Sequence, residues 1–356
     1  MASGPGAGQR FEGLQELRLL AAVAVLAFHS GHFVEMHVPA GDAFVHFWTK
    51  PIFSLGVNLF FGISGFVLMH ALARCPVPRF LALRFLRIYP PFLAAVGLMV
   101  LARWSLLGEL TPVPWASLTL LPLGRMDYPL LVQWSLVYEV FYYVVAAAGA
   151  LVPRRSYFRW ALWLWAAAIV AAALLGLKSV FFPTFASIGL SLFNLCFIGG
   201  ILAYEYRAAW ARRRFLVALA AIVGIVGIHP TDASVRQYML MPVATTALVS
   251  LMARGTDGGP RSKWRALLSL GGDWSYGLYL LHVPIITLLL DLGLDVLAGT
   301  HPGAVLVVVA TTALVVGSAY GWLELALYRR GRRVVLSAGR RDSRPAAPPV
   351  GAGRES

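Results

Sequence analysis

Residues 12–33 read EGLQELRLLAAVAVLAFHSGHF, an apolar run with Arg18 near its start and His29 eleven residues on. A helix rises about 1.5 Å per residue, so the two groups stand roughly 16 Å apart along the axis. That is about half of a bilayer's ~30 Å hydrocarbon core. If Arg18 sits at one membrane face, His29 lies well inside. An imidazole there is costly unless it has a partner or faces a polar cavity.

The rest of the chain supports a membrane setting. Of 356 residues, 59% are hydrophobic and 13% charged, with mean hydropathy +0.72. Soluble domains carry about 25% charge. Ten stretches are apolar enough to span, at roughly 17–34, 53–73, 89–106, 130–152, 160–176, 187–204, 215–229, 238–253, 274–291 and 304–326. With the N-terminus placed in the cytoplasm, 25 of the 30 Lys and Arg fall on the inner side and 4 in outer loops. This split predicts an all-α, polytopic bundle of about ten transmembrane helices with both termini cytoplasmic. It also accounts for the net charge of +14 without nucleic acid, since the basic loops face anionic lipid. The expected organisation is a cytoplasmic segment at 1–16, a membrane domain at 17–326, and a basic, disordered cytoplasmic tail at 327–356. Cys75 and Cys196 form no disulfide framework, and no metal-ligand spacing occurs. The first apolar run lacks a cleavage site and is read as a retained helix.

Candidate chemistry gathers around His29. Five other histidines (His32, His37, His46, His229, His301) fall in outer loops or at helix ends, and His70 near an inner end. Within the run Gln133-Trp134-Ser135-Leu136-Val137-Tyr138-Glu139, Glu139 reaches the depth of His29, where a carboxylate would fix an imidazole's tautomer. Its bland alternative is an interfacial carboxylate in an aromatic belt. In SYGLYLLHVP, residues 275–284, Ser275, Tyr279 and His282 are spaced to share one helix face. A polar stripe must point at protein or water rather than lipid, and interhelical hydrogen bonding is its ordinary use. In RFLALRFLRIYP, residues 79–90, Arg84 and Arg87 lie three apart on a short helix of the second inner loop. Two guanidiniums there suit phosphate, against the plain alternative of anchoring to lipid. Asn58 and the stretch FFGISGF, residues 60–66, add small and polar residues that suit close packing or a cavity wall.

Five features in this order resemble the integral-membrane acyltransferase family 3, which includes O-acetylases of bacterial polysaccharides. They are the Arg18–His29 spacing, FFGISGFVL, the Arg84–Arg87 pair, WSLVYE and SYGLYLLHVP. The resemblance spans roughly residues 11–326. It implies a multi-pass enzyme of the bacterial inner membrane that moves an acyl group, chiefly acetyl, from cytoplasmic acyl-CoA to a hydroxyl of a sugar or glycoconjugate. Acyl-CoA is then a co-substrate, with no resident cofactor or metal. On this reading Arg84 and Arg87, with Arg18, hold the donor's phosphates. His29 is general base or transient acyl carrier, and Glu139 orients it. Trp134 and Tyr138 stack on a sugar, Ser275 and Tyr279 donate to the developing oxyanion, and His282 and Asn58 complete the substrate site. The competing expectation is a glycoconjugate transporter or flippase, because intramembrane His and Glu also serve proton relays.

Overall fold

A computed structural model describes residues 11–38, 41–176, 181–227, 235–253, 262–294 and 301–341. Among these residues the architecture is helical throughout, with one isolated bridge between Leu123 and Thr184. The chain opens with α1 (Glu12–His37), the short α2 (Ala43–Trp48) and α3 (Pro51–Ser54), then α4 (Gly56–Leu72) and α5 (Val77–Leu107). A short α6 (Trp115–Leu118) precedes α7 (Gln133–Ala150) and α8 (Arg155–Leu174). After a 3-10 turn at Ile188–Leu190 come α9 (Phe193–Glu205), α10 (Arg207–Arg212), α11 (Arg214–Gly227), α12 (Val235–Met252), α13 (Lys263–Asp291) and α14 (Pro302–Arg341).

Each of the ten apolar stretches falls on one of these helices. Among the described residues, six helices are long and apolar enough to cross a membrane: Glu12–His37, Ile52–Leu72, Val77–Leu107, Arg155–Leu174, Lys263–Asp291 and Pro302–Val335. Three more apolar helices, Phe193–Glu205, Arg214–Gly227 and Leu240–Met252, are shorter. The fourth stretch, α7, begins with Gln133, Ser135 and Glu139 and is less apolar for it. The count of ten is therefore not reached by length and apolarity alone. Two boundaries also move. Arg84 and Arg87 belong to the 31-residue α5 rather than to a short loop helix, because the helix runs straight through Pro90 and Pro91. Tyr276 and Tyr320 donate to the Ile88 and Pro91 carbonyls beside that proline pair, giving its backbone side-chain partners within the bundle. At the other end, α14 continues as helix to Arg341, into the segment expected as an irregular tail.

Glycine sets how closely the central helices approach. A Cβ on Gly272 would stand 2.0 Å from the Gln15 carbonyl oxygen, locking α13 against α1. One on Gly321 would stand 2.2 Å from the Trp274 carbonyl oxygen, locking α14 against α13. With no hydrophobic drive between helices in lipid, such backbone contact is what holds them. The α1–α13 register brings His29 to His282.

Candidate functional site

Five helices converge on one cavity. From α1 comes Arg18; from α5, Arg84 and Arg87; from α7, Ser135, Glu139 and Tyr143; from α13, Tyr276 and Tyr279, with Phe60, Phe61 and Ser64 of α4 completing the wall. The cavity measures about 80 Å³, room for several waters or a small acyl group. Its cations are individually braced. Arg87 pairs with the buried Glu324 of α14 and lies over the Tyr276 ring at 5.1 Å. Arg84 lies over Phe80 at 5.4 Å and Tyr143 at 5.9 Å. Such contacts hold a guanidinium in place without neutralising it. The Glu139 carboxylate accepts from Ser64 at 3.1 and 3.2 Å and from the Tyr143 hydroxyl at 3.0 Å. Among the lining residues three guanidiniums stand against one carboxylate, Glu139, with Glu324 behind Arg87 and Asp273, paired with Arg329, also facing Arg18. Among the described residues, the Nε atoms of Arg18 and Arg84 are buried without a protein acceptor. Buried donors of this kind are expensive to leave unpaired, so the cavity suits an anion.

The second feature lies further along α1. His29 is half-buried, and its Nδ1 stands 3.0 Å from Nε2 of the buried His282. His282 Nδ1 in turn lies 2.8 Å from the carbonyl oxygen of Tyr279, three residues back on α13. The Tyr279 hydroxyl sits 2.6 Å from that of Ser135 and lines the arginine cavity, so Tyr279 links the two features. His29 itself is not among the cavity's lining residues; Phe60 and Tyr279, edge to face at 5.7 Å, form the wall on that side.

The sequence expectations sort accordingly. Arg18, Arg84, Arg87, Glu139 and Tyr279 are brought together, and His29 with His282. Glu139 does not orient His29: its carboxylate is taken by Ser64 and Tyr143, and the partner of His29 is His282. Ser275 is buried and donates to the Gly272 carbonyl at 2.8 Å, so its hydroxyl serves its own helix. Asn58 is buried and donates to the Cys196 sulfur at 3.7 Å, away from the cavity. Tyr138 is fully buried among Phe61, Tyr142 and Phe193 and bonds Ser191, leaving no ring face for a sugar. Trp134 packs on Phe181 at 4.9 Å and Phe193 at 5.3 Å in the same aromatic cluster. Both rings serve packing because α7 turns them toward α9. His70, expected near an inner helix end, bonds Arg74 at the exposed end of α4. His229 lies outside the described residues. The residues missed were Ser64, Ser135, Tyr143 and Tyr276. All four lie in or beside the quoted stretches; Ser135, Tyr143 and Tyr276 were signalled by position on the Glu139 or Tyr279 faces of α7 and α13, and Ser64 by its place in FFGISGF of α4.

Comparison with known proteins identifies the family. The family described as an acyltransferase domain matches residues 11–320. The exopolysaccharide production protein ExoZ of Rhizobium meliloti (strain 1021) is 28% identical over 311 residues, covering 80% of this chain and 92% of ExoZ. Acyltransferase MdmB of Streptomyces mycarofaciens is 30% identical over 315 residues, covering 78% of this chain and 79% of MdmB. No solved structure matches the chain. Since the matched span holds the arginine cavity and the histidine pair within one bundle of apolar helices, the chain belongs to acyltransferase family 3 and is a multi-pass membrane acyltransferase.

Proposed function

We propose that the enzyme O-acylates a surface or secreted glycoconjugate, taking an acyl group, chiefly acetyl, from acyl-CoA. The observation that carries this reading is the convergence of Arg18, Arg84 and Arg87 on one cavity, with Arg18 on the helix that carries His29, about 16 Å from it along the axis. Acyl-CoA separates its phosphates from its thioester by a long flexible arm. That shape suits an arginine cluster at one depth and a base at another. The small cavity favours a short acyl group. Positive-inside placement puts the basic loops, and so the arginine mouth, on the cytoplasmic side of a bacterial inner membrane, where acyl-CoA is found. The acceptor approaches from the opposite side, where His29 is half-exposed. The name of ExoZ points the same way, toward a polysaccharide acceptor.

Chemically, His29 takes the proton of the acceptor hydroxyl as its oxygen attacks the thioester carbonyl. The C–S bond breaks, and His29 returns the proton to the leaving thiolate. Base help of this kind is worth about a hundred- to ten-thousand-fold. The Tyr279 hydroxyl pairs with that of Ser135, which donates to the Val132 carbonyl at 3.0 Å, so the two hydroxyls brace the wall between the two features. Glu139 sets the charge of the donor cavity.

Mass spectrometry of surface glycans from cells with and without this chain tests the proposal. Loss of an acetyl-sized substituent in the deletion, restored by wild type and not by His29→Ala, is the expected result. Identical glycans in all three strains would overturn it.

A further inference from the structure

The two rings dictate each other's proton positions. A backbone carbonyl only accepts, so His282 Nδ1, 2.8 Å from the Tyr279 oxygen, must carry a hydrogen. A neutral imidazole has one N–H, which leaves His282 Nε2 as an acceptor. The atom facing it at 3.0 Å, His29 Nδ1, must then be the donor. The His29 proton is thereby held at Nδ1 and the lone pair left on Nε2.

We propose that His282 is a positioning residue that holds His29 in the tautomer whose Nε2 is free to take the acceptor hydroxyl's proton. This rests on His29 being the base, and it moves the orienting role from Glu139 on α7 to α13. The chain Tyr279 carbonyl, His282, His29 is a carbonyl–imidazole–imidazole relay in which no proton need travel beyond His29. When Nε2 accepts the hydroxyl's proton, His29 becomes an imidazolium. Its Nδ1–H bond to His282 becomes charge-assisted, and such bonds are roughly twice as strong as neutral ones. His282 thus binds the charged intermediate better than the resting state, which is what a catalytic contribution requires. Other rings pack on His29 without competing for Nδ1: Phe28 edge to face at 5.3 Å and Phe33 tilted at 6.3 Å.

Steady-state kinetics of purified full-length protein in detergent, with acetyl-CoA as donor, separates this from a packing role. His282→Leu keeps volume but accepts no hydrogen bond. Its kcat should fall on the order of 100-fold with KM for acetyl-CoA unchanged. Gln carries a carbonyl oxygen near the position of Nε2, so His282→Gln should recover most of the loss; His282→Asn, one methylene shorter, should not. Should the leucine variant fail to fold, the glutamine–asparagine contrast decides. Equal losses in Gln and Asn variants, or a loss expressed in KM alone, would overturn the proposal. Full activity in His29→Ala would instead overturn the reading beneath it.

Discussion

The arginine cavity and the histidine pair are both served by α1, yet they are built in opposite ways. The cavity draws its charged groups from α1, α5 and α7, with α14 behind Arg87, and almost every one has a brace: Glu324 for Arg87, aromatic rings for Arg84 and Arg87, Ser64 and Tyr143 for Glu139. The histidine site has two side chains, a 3.0 Å bond between them, and a partly buried base. A redundant cluster suits a task that any one contact can only partly serve, such as gripping a multiply charged donor. A sparse pair suits a proton transfer that a single atom must perform. The two regions should therefore respond differently to mutation, one in donor affinity and the other in turnover.

The largest contrast is expected from His29→Ala. Turnover should drop by about a hundred- to ten-thousand-fold while acyl-CoA binding, followed by isothermal titration in detergent, stays at the wild-type level. A parallel loss of donor binding would erase the division of labour. Arg84→Ala should do the reverse. A charge-assisted bond contributes about 1.5–3 kcal/mol. At about 1.4 kcal/mol per decade, KM for acyl-CoA should rise about ten- to a hundred-fold with kcat little changed. Unchanged KM would return Arg84 to membrane anchoring. Glu324→Ala removes the partner of a buried cation, a loss that costs about 3–5 kcal/mol. A thermal melt lowered by several degrees in detergent is expected; an unaltered melt would mean Arg87 reaches solvent or another partner. Tyr279→Phe deletes one hydrogen bond to Ser135, about 0.5–1.5 kcal/mol, so only a two- to twelvefold decline in kcat is expected. A loss as deep as that of His29→Ala would make the tyrosine part of the proton path.

How far the sequence disclosed this depends on the kind of information. Arg18 and His29 were legible because their spacing on a single helix fixes their separation whatever the helix packs against. Arg84 and Arg87 were legible as a pair, but their helix was not: a proline pair usually ends a helix in water, whereas here the helix continues through Pro90 and Pro91 inside the bundle. The tail failed for a similar reason, since α14 carries its helical geometry through the basic residues to Arg341. The partner of His29 was hidden for a topological reason. Depth in the membrane is one coordinate, and Glu139 and His282 both satisfy it. The angle around the bundle, set by Gly272 against the Gln15 carbonyl, selects His282. Tyr138 and Trp134 show the same ambiguity in aromatic form, because a stacking platform and a packed ring have the same composition.

The measurement that bears most directly on transfer between two depths uses sealed vesicles holding the enzyme in one orientation. Labelled acetyl-CoA is supplied only on the side of the basic loops, and the cells' polysaccharide fraction only on the other. Label should appear in the polysaccharide with wild type and vanish with His29→Ala. Label incorporated only when donor and acceptor share a side would contradict the account.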